Sequence, residues 1–146
     1  MSEAVFWGRH EVRIDGPVVS VRFMGSVSHE EWLKLRDAMA AVVAEHGRVY
    51  MLAFVSQATA IVPEARREFA AWAKTQPLLG VANVQSNLAA RVLGGLLANA
   101  MKLLGAVHFS STFVDDEAAA RRWISEIDRK RFPNSPSQPS VRPSAS

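Results

Sequence analysis

Short runs of β-branched and aromatic residues alternate along this chain with longer stretches of helical periodicity, and four such pairs fill residues 17–131. A crossover of a dozen or more residues lets the next strand return parallel to the one before it. The alternation therefore predicts an α/β domain whose mostly parallel sheet is built from four βα units. An additional extended run, at 11–15, is separated by Gly16-Pro17 from the first strand of these pairs, at 18–23. The two runs predict a hairpin at the N-terminal edge of the sheet.

The first predicted helix has the clearest signals at its ends. Ser28 and Glu31 have the spacing of a capping box, in which each side chain bonds to the backbone of the other residue. Gly47 stands where a glycine commonly ends a helix. Between these ends, apolar residues recur at helical spacing, at Trp32, Leu35, Met39, Val42 and Val43.

The later elements follow from the same patterns. A continuously apolar run such as 49–55 is typical of a central parallel strand that is covered on both faces. The remaining predicted elements are, in order, a helix from near Pro63 to before Pro77, a strand at 78–84, a helix at 88–104, a strand at 107–113, and a helix between the acidic residues 115–117 and the basic residues 129–131.

The composition predicts one folded domain and a tail. The chain has 146 residues, of which 49% are hydrophobic and 21% charged, as in ordinary globular domains. In residues 132–146, nine of fifteen are Pro or Ser, and such a segment buries too little apolar surface to become ordered. We expect a domain over 1–131 and a disordered tail over 132–146.

Cysteine content and charge narrow the classes of function. With no cysteine, disulfides, Cys-based zinc sites and thiol catalysis are excluded, and a cytoplasmic location is expected. Seventeen basic against fourteen acidic residues leave a net charge of +3, too small for the basic footprint of a nucleic-acid-binding protein. The most apolar window, 92–101, is half the length of a membrane span, which takes about 20 residues. No transmembrane segment is predicted.

No catalytic or metal-binding motif stands out. None of the four histidines has a second histidine or a carboxylate at ligand spacing, so no metal site is predicted. The acidic residues 115–117 suit the start of a helix. Neither a G-x-S-x-G motif nor a glycine-rich phosphate loop with lysine is present. We therefore predict no enzyme activity and no cofactor.

Polar residues at the ends of predicted strands form the one site-like set. The carboxyl ends of parallel strands meet at one edge of a sheet, where open α/β folds place their ligands. The candidate rim for a partner or ligand consists of Ser56, Gln57, Thr59, Ser86 and Asn87.

Two stretches resemble the STAS domain of anti-sigma-factor antagonists, in the branch that groups STAS with Sec14-type domains. They are Val21-Arg22-Phe23-Met24-Gly25-Ser26-Val27-Ser28 with Glu30-Glu31, and Phe113-Val114-Asp115-Asp116-Glu117-Ala118 leading to Arg122-Trp123-Ile124. The resemblance covers about residues 11–128 and implies a STAS-like fold with a regulatory or ligand-binding role. Where the family often has Asp-hydrophobic-Ser, this chain has Phe54-Val55-Ser56, and Thr59 is the hydroxyl nearest the family's switch serine.

Two functions of different classes follow. The first is a non-enzymatic, cytoplasmic regulatory module that binds a protein partner through the strand-end rim, with Thr59 as its candidate regulatory hydroxyl. The alternative is a domain that binds a small apolar ligand or lipid in a pocket beside the helix at 88–104, where Gly94-Gly95 gives room for close approach.

Overall fold

A computed structural model describes residues 4–84, 91, 92, 95, 99 and 110–133. In these residues the chain forms one mixed sheet whose six strands lie side by side in the order of the sequence. The first three strands are antiparallel, and the third to the sixth are parallel. The strands are β1 Val5–Trp7, β2 His10–Asp15, β3 Val18–Val27, β4 Val49–Ile61, β5 Leu78–Val84 and β6 Ser110–Val114.

Three helices are described in full: α1 His29–His46, α2 Pro63–Thr75 and α3 Glu117–Arg131. The predicted capping box is present at the start of α1, and Gly47 ends this helix in the left-handed conformation at φ 77°. At the start of α3, the Asp116 side chain accepts from the Ala119 N–H at 2.8 Å. Of the helix predicted at 88–104, only residues 91, 92, 95 and 99 are described, and all four are helical.

The core has two layers because the sheet is covered on both faces. The layer under α1 and α2 buries Trp32, Leu35, Met39 and Phe69 against Val19, Val21, Val49 and Met51. The opposite layer, under α3, buries Ala120 and Ile124 against Tyr50, Leu52, Ala82 and Val84. Side chains of β4 alternate between the two layers, as the continuously apolar run predicts. The predicted α/β fold class is thus confirmed.

The sheet differs from prediction by one additional strand and by the later ends of β3, at Val27 instead of 23, and of β4. The hairpin of β2 and β3 is present, but β1 pairs outside it and forms the edge of the sheet. β4 runs to Ile61 rather than ending at 55, because β3 continues to Val27 and pairs with it as far as Val27↔Ile61. Ala58 and Ile61 remain packed against the first core layer, so this extension of β4 is anchored by apolar contacts.

A buried ion pair links α3 to the beginning of β4. Asp128 accepts from Arg48 Nε at 2.6 Å, from Arg48 Nη2 at 2.9 Å and from the Tyr50 hydroxyl at 2.8 Å. Burial of Tyr50, together with its hydrogen bond to Asp128, raises the pKa of the hydroxyl far above its ordinary value, so it remains a donor. The hydrogen bond to Asp128 likewise raises the pKa of Arg48. These groups hold α3 on the sheet.

The C-terminal boundary of the packed unit lies beyond Arg131. Phe132, which the composition places in the tail, packs against the α3 core layer, and the Arg48 guanidinium lies 4.5 Å from the centre of its ring. Residues 134–146 lie outside the described residues. Among the described helices, none is long and apolar enough to cross a membrane.

Candidate functional site

The predicted rim residues of β4 lie in a strand and not in a loop. Ser56, Gln57 and Thr59 fall within β4, whose extension pairs with the end of β3. A strand that ended at 55, before a helix from near Pro63, would leave Thr59 in a loop. This prediction is wrong, because parallel pairing with β3 keeps the segment extended. Gln57 and Thr59 are exposed and Ser56 is half-buried.

Thr59 occupies an irregular position in this pairing. Gly25 pairs with Ala58, and the next residue of β3, Ser26, pairs with Ala60, so Thr59 is an additional residue on the β4 side. Gly25 has φ 81°, in the left-handed region where glycine is favoured. Such a bulge re-aims side chains and is frequent near functional sites.

The other predicted rim residues lie outside the description. Ser86 and Asn87 are not among the described residues, and neither is most of the helix at 88–104 beside which the apolar pocket is predicted. Of that helix, Val92 is exposed.

A chain of hydrogen bonds joins the start of α1 to the hairpin. Glu31 Oε1 accepts from the Ser28 N–H and lies 3.0 Å from His10 Nε2. His10 Nδ1 accepts from the Met24 N–H at 3.0 Å, so the neutral ring carries its proton on Nε2 and donates it to Glu31. Partial burial raises the pKa of Glu31, but the hydrogen bonds from Ser28 and His10 outweigh burial and leave it below 4.5. The buried His10 thus has a structural role.

A second histidine pairs with a carboxylate where α1 and α2 begin. His29 Nε2 lies 2.8 Å from Glu68 Oε2, and Trp32 Nε1 donates to Glu68 Oε1 at 3.3 Å. The hydrogen bond with His29 lowers the pKa of Glu68. His29, Glu64 and Glu68 can each offer one ligand atom, all within 4.8 Å of one another. The sequence could not indicate this cluster, because its members come from two helices that begin after different strands.

A polar cleft opens on the α3 side of the sheet. It has a volume of about 450 Å³, and its lining residues come from three strands and from the first turns of α3: Glu11, Arg13, Ser20, Arg22, Phe54, Glu117 and Arg121. α3 packs mainly over β4, β5 and β6, so among the described residues the same face of β2 and β3 is the part of the sheet that this helix covers least. The sequence pattern does not indicate these residues as a site, because they come together only through strand register and the packing of α3 on the sheet.

Comparison with known proteins shows a likeness in fold to solved structures. No protein-family model matches the sequence, and no curated protein matches it. In its fold the chain is similar to the anti-sigma factor antagonist SpoIIAA in its unphosphorylated form, with a TM-score of 0.47 and 9% sequence identity over 90% of this chain and 98% of that one. At this identity and TM-score, the likeness does not establish membership of the family.

Proposed function

We propose that this chain is a non-enzymatic regulatory module that binds an extended segment of a protein partner. The observation that carries the proposal is the projecting pair of strand ends formed by residues 24–27 of β3 and 57–61 of β4, which we call the β3–β4 ribbon. Among the described residues, β4 pairs with β5 as far as Phe54↔Val84, where the description of β5 stops, and with β3 as far as Ile61. The four residues 24–27 of β3 extend about 13 Å at the usual rise of about 3.3 Å per residue.

The ribbon combines a fixed base with an accessible surface. Ala58, Ile61 and Val27 pack against the first core layer, which holds the backbone in place. Ser26, Gln57, Thr59 and Ala60 are exposed. A surface that is already ordered loses little conformational entropy when a partner binds.

One backbone edge of the ribbon supports strand addition. Within the described part of the chain, residues 57–61 pair with β3 alone. A strand edge of this kind is a template on which an extended peptide forms main-chain hydrogen bonds, while neighbouring side chains select its sequence. Gln57 and Thr59 are the side chains we assign to this selection, and Thr59 remains the candidate regulatory hydroxyl.

The test is binding by Thr59→Glu with Thr75→Glu as its matched control. Each variant gains one negative charge at an exposed threonine, but Thr75 ends α2 at the other end of the sheet. A partner captured by the wild type would be purified and its affinity measured by titration calorimetry. We expect Thr59→Glu to weaken binding at least about tenfold through repulsion or desolvation, as phosphorylation would. Thr75→Glu should bind as the wild type does.

The proposal is overturned if Thr59→Glu, folded by circular dichroism, binds every captured partner with unchanged affinity. A photo-crosslinking residue at Gln57 gives an independent measurement. It should join covalently to an extended segment of the partner, whereas the same group at Thr75 should not.

A further inference from the structure

The open half of the α3 face of the sheet carries a row of polar side chains. Residues paired across neighbouring strands share a face, and the register gives the rows Glu11↔Arg22↔Phe54 and Arg13↔Ser20↔Leu52. Phe54 and Leu52 lie in the α3 core layer. The polar residues of β2 and β3 therefore lie on the same face of the sheet as these buried residues, on the neighbouring strands. They form the floor of the 450 Å³ cleft.

Ser20 is the unusual member of this floor. The residue is only 7% exposed, and its Oγ has no hydrogen-bond partner among the described residues. A buried hydroxyl without a partner is unfavourable, and such a group in a native protein calls for an explanation. Ser20 lines the cleft, and because its Oγ has less than 1 Å² of accessible surface, a rotation about χ1 toward the cleft is what would let this hydroxyl donate to a ligand there.

Arg22 stands two residues further along the same strand and face. Its guanidinium carbon lies over the Phe54 ring, 4.2 Å from the ring centre, so the group is placed against an aromatic face. Its contact with Glu11 is 3.9 Å, too long for a hydrogen bond. The guanidinium is thus oriented while its fork of donors stays available to an oxyanion.

The other charges of the cleft limit which anion fits. Arg13 is paired with Glu11 at 3.0 Å, and Arg121 is paired with Glu117 at 2.8 Å. Arg121 also lies 3.5 Å from Asp15, so the three arginines of the lining are balanced by three carboxylates, and among the described residues Arg22 is the lining arginine without a hydrogen-bonded carboxylate. This balance suits one compact anionic group and opposes a polyanion. The volume is in the range of small-molecule sites.

We propose that this cleft binds a small organic oxyanion, a carboxylate or a phosphate monoester, whose oxygens accept from the Arg22 guanidinium and the Ser20 hydroxyl. The site is on the α3 face of the sheet and is separate from the β3–β4 ribbon, so it stands independently of the proposed partner binding.

The experiment titrates the full chain with benzoate, phenyl phosphate and the neutral benzamide at constant ionic strength, observed by the amide resonances in ¹H–¹⁵N NMR spectra. We expect saturable shifts at Ser20 and Arg22 with benzoate, phenyl phosphate or both, and none with benzamide. A response to one acid alone assigns the anion as carboxylate or phosphate.

Variants separate binding from structure. Arg22→Met keeps an unbranched apolar stem beside Phe54 and should weaken binding at least about tenfold, as the loss of a charge-assisted hydrogen bond would. Arg36→Met, on α1 and on the opposite side of the sheet, is the matched control and should change the affinity by less than about twofold. Ser20→Ala should weaken binding while leaving thermal stability equal or higher, because it removes the unpaired hydroxyl.

Four results would overturn the proposal, three of them in the affinity data. These three are the absence of a saturable response to both acids, a response to benzamide equal to that of benzoate, and unchanged affinity in folded Arg22→Met. Shifts that spread over exposed arginines without saturation would also refute it, since they indicate general charge attraction.

Discussion

Replacement of Asp128 by alanine tests the ion pair that fastens α3 to β4. The carboxylate accepts two hydrogen bonds from Arg48 and one from Tyr50, and the Arg48 and Asp128 side chains are only 7% and 3% exposed. Removing one partner of a buried pair leaves the other charge in a poorly solvated place, at a cost of about 3–5 kcal/mol. We expect Asp128→Ala to lower the free energy of unfolding by this amount.

Urea denaturation followed by circular dichroism measures this loss. For a slope of about 1.5 kcal/mol per molar urea, a loss of about 3–5 kcal/mol moves the midpoint by roughly 2–3 M. Because domains are stable by only about 5–15 kcal/mol, this loss is a large fraction of the total free energy of unfolding. Asp128→Asn retains the volume and an acceptor for Tyr50 and should be the milder substitution.

A double variant separates the charge from the packing. Arg48→Met with Asp128→Leu removes both charges and keeps apolar volume, and such replacements are often neutral or stabilising. We expect it to recover most of the stability that Asp128→Ala loses. A loss below about 1 kcal/mol in Asp128→Ala would refute the reasoning, because it would place the pair in the range of exposed ion pairs.

Three further predictions concern other parts of the fold. The pKa of Glu31 in the folded state lies below its ordinary value of 4.5, so its stabilising effect is present above that pH and is lost as the pH falls through the lower folded value. Glu31→Gln should therefore narrow the difference between the urea midpoints measured at about pH 7 and about pH 3. Deleting residues 134–146 should leave the urea midpoint unchanged. A deletion that also removes Phe132 should lower the free energy of unfolding by at least about 1 kcal/mol, because the contact with Arg48 is lost. Equal midpoints for the two deletions would contradict this. Gly80→Ala should cost about 1–3 kcal/mol by calorimetry or denaturation, because the added Cβ would lie 3.2 Å from the Trp123 ring.

The elements that the sequence predicts well are those fixed by neighbouring residues. The capping box and the glycine end of α1 are contacts within a few residues, and both are present as predicted. β5 has the predicted bounds 78–84, because its apolar run stops where turn residues begin. α2 starts at Pro63 as expected, since proline suits the first turn of a helix.

Other features depend on which distant residues become neighbours. The end of β4 was predicted six residues too early, since only pairing with β3 keeps residues 56–61 extended. The pair Arg48 and Asp128 is separated by 80 positions, and nothing local marks either residue as buried. His10 and His29 are each followed directly by a glutamate in the sequence, yet the fold pairs His10 with Glu31 and His29 with Glu68, which are 21 and 39 positions away.

The sequence by itself determined the α/β class, the helices and most strands, because hydrophobic periodicity and end signals act over short distances. Only the tertiary structure decided where the surfaces lie. In the described residues, the ribbon is formed because β3 and β4 remain paired as far as Val27↔Ile61. The cleft is formed because register aligns Ser20 and Arg22 with residues of β2 and β4. Strand register is fixed by contacts between segments far apart in the chain, so no local pattern specifies it.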